Sequence, residues 1–184
     1  MLHLQFSPFP TLETERLLLR AVTVDDAANM MDIRNHATVN KYIHGRAPLK
    51  NIEESKARIE KILAEQEESK VIMWCICLKE QPQNMLGSIV FWNIEPENDL
   101  AEIGYELHPE HHNKGIMSES VKKVLVYGKE IMLLKTITAY THKNNLASIK
   151  LLQSNDFQRD FGLENLFVGK TEPETQTIYA LNVK

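Results

Sequence analysis

Residues 106–119 read Glu106-Leu107-His108-Pro109-Glu110-His111-His112-Asn113-Lys114-Gly115-Ile116-Met117-Ser118-Glu119. An alternating stretch stops at Pro109, whose missing N–H and fixed φ end a central strand. A polar turn follows. After Gly115, apolar residues return at helical spacing, at Met117, Val121, Val124 and Leu125. The segment therefore predicts strand, turn and helix. The first turn of such a helix exposes unpaired N–H groups and the positive end of the macrodipole, about half an elementary charge. That end suits a phosphate or pyrophosphate. Gly115 lets the backbone approach a ligand because no Cβ intervenes, and Lys114 adds a cation beside it. The Walker spacing and the three-glycine dinucleotide fingerprint are both absent, so nucleotide hydrolysis and NAD binding have no support. Alone, the segment reads equally well as an ordinary strand-to-helix connection.

The pattern around it alternates between periods. Glu15–Val22 reads as a strand, and Asp25 or Asp26 caps a short helix through Met30, Met31 and Ile33. The span 35–50 holds Gly45 and Pro48 and reads as loop. The span 51–69 is helical, with Ile52, Ile59, Ile62 and Leu63 as its apolar stripe. Strands follow over 71–78, 85–94 and 100–107, the first two forming a hairpin about Gln81-Pro82-Gln83-Asn84. The second half reads as helix 116–131, strand 136–142, and helix 145–155 with Leu146, Ile149 and Leu152 inward. Strands 157–169 and 175–183 complete it. This order predicts one α/β domain over residues 1–184, a twisted mixed sheet of six or seven strands with helices on both faces.

Composition removes several function classes. The 184 residues carry 21 Lys and Arg against 25 Asp and Glu, a formal charge of -4, which argues against a surface built to grip nucleic acid. No apolar run approaches the ~20 residues of a membrane helix. Met1-Leu2-His3-Leu4-Gln5 has no basic n-region before an apolar core, so no secretory leader is expected. Cys75 and Cys77 lie two apart on one strand and point to the same face, a poor disulfide geometry. A reducing, cytoplasmic setting is the expectation.

His112-Asn113-Lys114-Gly115-Ile116-Met117 resembles motif A of the GNAT acetyltransferases, Gln/Arg-x-x-Gly-x-Gly/Ala. Ser118-Glu119 fits the branch resembling the ribosomal-protein serine/alanine N-acetyltransferases. Thr14-Glu15-Arg16-Leu17-Leu18-Leu19-Arg20 is similar to that branch's opening strand. Asn145 and Ser148, followed by Leu152 and Asp156-Phe157, resemble motif B, Asn-x-x-Ser followed by Gly-Phe. Three motifs in order cover nearly the whole chain. The departures are His112 for Gln or Arg, Met117 for the second small residue, Asp156 for Gly, and no Tyr over 149–153.

The resemblance implies a GNAT fold and transfer of acetyl from acetyl-CoA to a primary amine. It places the cofactor on Leu107, His112, Asn113, Lys114, Gly115, Ile116, Met117, Ser118 and Asn145. The amine must be neutral to attack. At pH 7 deprotonation costs about 1.4 kcal/mol for an α-amine of pKa near 8 and about 4.6 for a lysine near 10.4. Glu102 is the candidate base: alternation puts Glu102, Gly104 and Glu106 on one face of their strand, and Ala101, Ile103, Tyr105 and Leu107 on the other. Ser148 is the candidate donor to the leaving thiolate, and Tyr140 a second candidate acid. Plain readings stand beside each: a solvated Glu, a Ser bonded to its own helix, a half-buried Tyr, and Asn145 as an N-cap.

His108, His111 and His112 lack a Cys cluster, and two are adjacent, so no metal is expected. The buried cysteines read as small hydrophobes. The acceptor wall is expected in 35–48, through His36, Tyr42, Ile43 and Arg46, with Trp92 opposite. The N-terminal α-amine of a protein or peptide is the first acceptor by family analogy. The alternatives are a small-molecule amine (an aminoglycoside, polyamine or amino-acid derivative) and a CoA-binding module with weak catalysis. Oligomeric state is not legible, and a homodimer stays open.

Overall fold

The computed structural model describes residues 1–43, 45–166 and 175–183. In chain order the elements are β1 (Leu12–Glu13), β2 (Leu17–Ala21), α1 (Ala27–Asn35), α2 (Ala37–Asn40), α3 (Ile52–Glu67), β3 (Ile72–Leu78), β4 (Gly87–Glu95) and β5 (Leu100–Leu107). They continue as α4 (Ile116–Glu130), β6 (Thr136–His142), α5 (Leu146–Gln153), β7 (Gln158–Arg159), α6 (Phe161–Leu166) and β8 (Gln176–Asn182). The strands form one sheet in the order β1-β2-β3-β4-β5-β6-β8-β7. The β5–β6 pair is parallel and the other neighbours are antiparallel.

Period-two burial sorts the sheet into two cores. Trp74, Ile76, Ile89, Phe91, Ala101, Ile103 and Ile137 face α4 and α5 with Val121, Val124 and Leu152. Met73, Cys75 and Cys77 face α1 and α3 with Met30, Ile33, Ile59 and Ile62. Helices therefore cover both faces, as the α/β reading requires. On the α1 side, Arg20 makes a bidentate contact to the buried Asp26 at 2.6 and 2.8 Å. Burial works against the Asp26 charge, but Arg20 and the Thr23 N–H outweigh it and hold the carboxyl below its ordinary value. Both cysteines are fully buried beside this pair, and Cys75 Sγ lies 3.6 Å from Asp26 Oδ2. Desolvation raises both thiols, Cys77 to about 11.

The sheet opens in its centre. β4 follows β5 from Leu107 back to Glu102, whereas β6 pairs with β5 only at Leu100, Ala101 and Glu102. Beyond Glu102 the two parallel strands diverge. On β4 the register shifts between Trp92 and Glu95, and Asn93 adopts φ 45° within that bulge.

Several sequence expectations need correction. The sheet has eight strands because the two-residue β1 and β7 also pair, and neither is long enough to carry a periodic signal. Within 35–50, expected as loop, Ala37–Asn40 forms one helical turn capped by His36, which accepts from the Thr38 N–H. The expected strand 157–169 is a strand only at Gln158–Arg159. Phe161–Leu166 is helical, started by the Asp160 carboxylate accepting from the Leu163 N–H, and residues 167–169 lie outside the described residues. Leu146, expected inward, is 64% exposed, because Asn145 caps α5 and leaves Leu146 in the solvent-facing first turn.

Gly87 on β4 meets β5 so closely that a Cβ would lie 2.3 Å from the Glu106 carbonyl oxygen and 2.9 Å from Leu107 Cα. Those neighbours are backbone and cannot rotate aside. Gly87→Ala is expected to lower unfolding free energy in urea by about 2 kcal/mol or more. Gly104→Ala, whose nearest contact is the Val90 side chain at 3.3 Å, should cost less.

Candidate active site

The divergence of β5 and β6 opens a cleft of about 1500 Å³. Glu102 stands where the parallel pairing ends, across from Trp92 on β4 and Thr138 on β6. It is only 8% exposed. Burial pushes its carboxyl up to about 7, against donors from Asn93 and Trp92 that favour the charged form. Asn93 Nδ2 donates to Glu102 Oε2 at 2.9 Å, and it is the β4 bulge that brings Asn93 there. Such a carboxyl can exchange a proton near neutral pH. Gly104 and Glu106 continue the same face.

The opposite face of β5 carries Tyr105. Its hydroxyl lies 2.9 Å from Ser148 Oγ on α5, and burial pushes the phenol up to about 12. The pair is therefore protonated at neutral pH and lines the cleft. Strand alternation puts Tyr105 on the face opposite Glu102, and α5 has no tyrosine of its own. No signal in one sequence pairs residues 105 and 148, which meet only through the fold. Tyr140, by contrast, shares the Glu102 face of β6. Burial first, then the Glu102 and Glu95 charges, push it up to about 12. Tyr140 and Ser148 both line the cleft.

The turn before α4 has the conformation that the opening sequence stretch predicts. Asn113 and Gly115 adopt φ 59° and 76°, and Gly115 is the α4 N-cap. The cleft is lined here by His112, Asn113, Gly115, Ile116, Met117 and Ser118. Lys114 is exposed and is not among the lining residues. Its carbonyl accepts from Arg16 at 3.2 Å. His112 Nε2 lies 2.9 Å from the Leu107 carbonyl, so the imidazole ties the turn to the end of β5. Asn145 accepts from the Ser148 N–H as the α5 N-cap and also borders the cleft.

Arg16 was missed as a site residue. It pairs with Glu119 through Nη2 at 2.6 Å and Nε at 2.8 Å. Thr14 also hydrogen-bonds Glu119. The guanidinium lies 3.4 Å from where a Cβ on Gly115 would sit. The opening strand and the turn before α4 are thereby clasped together.

On the α1–α3 side, Tyr42, Ile43, Arg46 and Trp92 line the cleft as expected. His36 does not: it stacks edge-on against His108 at 5.4 Å. His44 lies outside the described residues. His108, Glu110 and His111 bring ligand atoms within 4.8 Å of one another, while His112 is turned away to Leu107. His108 also meets Asp32 at 3.2 Å. Among the described residues, no helix is long and apolar enough to cross a membrane.

The Acetyltransferase (GNAT) domain family matches residues 16–158. The chain is 32% identical over 173 residues to the uncharacterized N-acetyltransferase YoaA of Bacillus subtilis (strain 168), covering 94% of this chain and 97% of that one. It is 35% identical over 150 residues to the uncharacterized N-acetyltransferase p20 of Bacillus licheniformis, covering 82% and 83%. Among solved structures, RimL, a ribosomal L7/L12 alpha-N-protein acetyltransferase in complex with coenzyme A, superposes with a TM-score of 0.79 at 18% identity, over 95% of this chain and 98% of that chain.

Glu102 has a stability signature. Its folded value of about 7 exceeds the ordinary 4.5, so the native state holds the proton more tightly than the unfolded chain. The destabilisation is absent below pH 4.5, grows between 4.5 and 7, and is complete above 7. At about 1.4 kcal/mol per unit this amounts to about 3 kcal/mol. Glu102→Gln should therefore raise stability near pH 8 by up to about 3 kcal/mol and give no such gain near pH 4, as read by urea unfolding at both values.

Proposed function

The chain belongs to the GNAT acetyltransferase family, and on that footing we propose that it acetylates the N-terminal α-amine of a protein or peptide, using acetyl-CoA in a ternary complex. The observation that carries this is the opened β5–β6 seam, with a carboxyl of pKa about 7 on one face and the Tyr105–Ser148 pair on the other.

The chain fits the cofactor. Gly115 at φ 76° supplies a turn free of side chain, and the exposed N–H groups of the first turn of α4 aim at a pyrophosphate. The β5 edge from Ile103 to Leu107, no longer paired with β6, offers hydrogen-bonding groups to a pantetheine arm. Acetyl-CoA supplies an acyl group activated as a thioester. Glu102 accepts the proton of the incoming ammonium, directly or through a water held near Asn93. Ser148, hydrogen-bonded to Tyr105, donates to the leaving thiolate. A thiol of pKa near 8.5 needs only a weak acid. Tyr105 thus supplies what α5 lacks, and the reading of a CoA-binding module with weak catalysis loses its motive. Support for an α-amine acceptor comes from the RimL neighbour, named for that activity, and from the smaller deprotonation cost of an α-amine.

Calorimetric titration with acetyl-CoA tests the reading first. Micromolar binding is expected, and Gly115→Glu should abolish it by placing a carboxylate and a strained residue in the turn. No binding to the wild type would overturn the cofactor and the reaction together. The pH dependence of kcat/KM on a peptide should show a rising limb near 7, in line with the raised Glu102 carboxyl. In Glu102→Gln that limb should vanish, and kcat should fall about 10²- to 10⁴-fold.

A further inference from the structure

The acceptor side of the cleft holds three guanidiniums. Arg34 projects from the last turn of α1, Arg46 from the segment after α2, and Arg58 from α3. All three line the same cleft as Glu102. Arg46 is paired with Glu106 at 2.5 Å, and both side chains are largely buried. Among the described residues, Arg34 and Arg58 form no ion pair, and the buried Nε of Arg34 has no hydrogen-bond partner. Burial, with Arg46 and Arg58 nearby, pulls Arg34 down to about 10, and the Glu106 charge opposes them. Elsewhere in this protein a partly buried arginine is fully answered, as Arg20 is by Asp26. An unanswered guanidinium is costly to bury, because its donors lose water without gaining an acceptor.

Resting on the proposed α-amine transfer, we infer that Arg34, Arg46 and Arg58 form a subsite for a carboxylate carried by the third or fourth residue of the acceptor peptide. The spacing sets that position. Glu102 and Glu106 lie on one face of β5 four residues apart, roughly 13 Å at about 3.3 Å per residue. With the α-amine at Glu102, an extended chain advancing about 3.3–3.6 Å per residue sets its fourth Cα about 12 Å along, level with the Arg46–Glu106 pair, and its third about one residue short of it, a gap that an acidic side chain spans. A free amino acid holds its carboxylate one carbon from its amine and cannot span this distance. A polyamine would set cations against the arginines. Guanidinium forks suit a planar carboxylate.

The test uses three octapeptides identical but for residues three and four: Ser-Ala-Asp-Glu, Ser-Ala-Asn-Gln and Ser-Ala-Lys-Lys at their N-termini. Each is titrated calorimetrically into wild type, Arg34→Gln and Arg58→Gln, all saturated with CoA so that no turnover occurs. Thiol release from acetyl-CoA is then measured with the same peptides. The Asp-Glu peptide should bind about tenfold tighter than the Asn-Gln peptide, and the Lys-Lys peptide weakest. That gap should close in the variants while CoA affinity holds. Arg58 is exposed, so its variant carries the test if Arg34→Gln does not fold. Equal binding of the three, tightest binding of Lys-Lys, no peptide binding, or a gap unchanged in the variants would each overturn the subsite. Tight, arginine-dependent binding without thiol release would leave the subsite standing and refute the transfer. Equal kcat/KM for all three would do the reverse.

Discussion

The organisation of this protein depends on where one parallel strand pair stops. β5 keeps its β4 neighbour along nearly its whole length but shares only three residues with β6. A sheet in which those strands stayed together would bury Glu102 without access and leave no gap for a ligand. Because they part, both faces of the sheet look into one cleft, and strand alternation puts chemically different groups on its two sides. Glu102 rises on the α1–α3 side and Tyr105, three positions on, on the α4–α5 side. The β4 bulge adds Asn93 at the same level. No loop carries these groups; they stand on strands fixed by two packed cores.

The parts of the site legible in sequence are those where local conformation and function coincide. Gly115 is readable because a residue without a Cβ at the entry to a helix leaves the backbone open to close approach. Glu102 is readable as a face assignment, though not as a carboxyl raised toward neutrality, since desolvation belongs to the tertiary environment. The Thr14-Glu15-Arg16 and Ser118-Glu119 segments read as two separate family marks. In the fold they are one contact, made through Glu119. Tyr105 escaped because its meaning lies in a neighbour 43 positions away. The short strands β1 and β7 and the turn of helix at Ala37–Asn40 escaped because a few residues cannot display a period.

Charge distribution separates what the total conceals. The chain is acidic overall, with a formal charge of -4. Yet the α1–α3 side of the cleft concentrates arginine, while acidic groups such as Glu13, Glu68 and Asp99 sit in pairs with surface lysines. Exposed pairs of this kind contribute little to stability. Arg34 and Arg46 in the cleft are different, since partial burial strengthens the field each one presents to an approaching charge.

The deep placement of Cys75 and Cys77 bears on how the enzyme can be observed. Both thiols are inaccessible in the folded chain, and desolvation holds them in the unreactive protonated form. A chromogenic disulfide reagent added to native protein therefore meets no thiolate of the protein's own, and in the proposed reaction any colour it develops would originate from released CoA. The same reagent added to unfolded chain meets two. Sulfur chemistry in this molecule is thus a built-in reporter: silent while the fold is intact, and stoichiometric once it is lost.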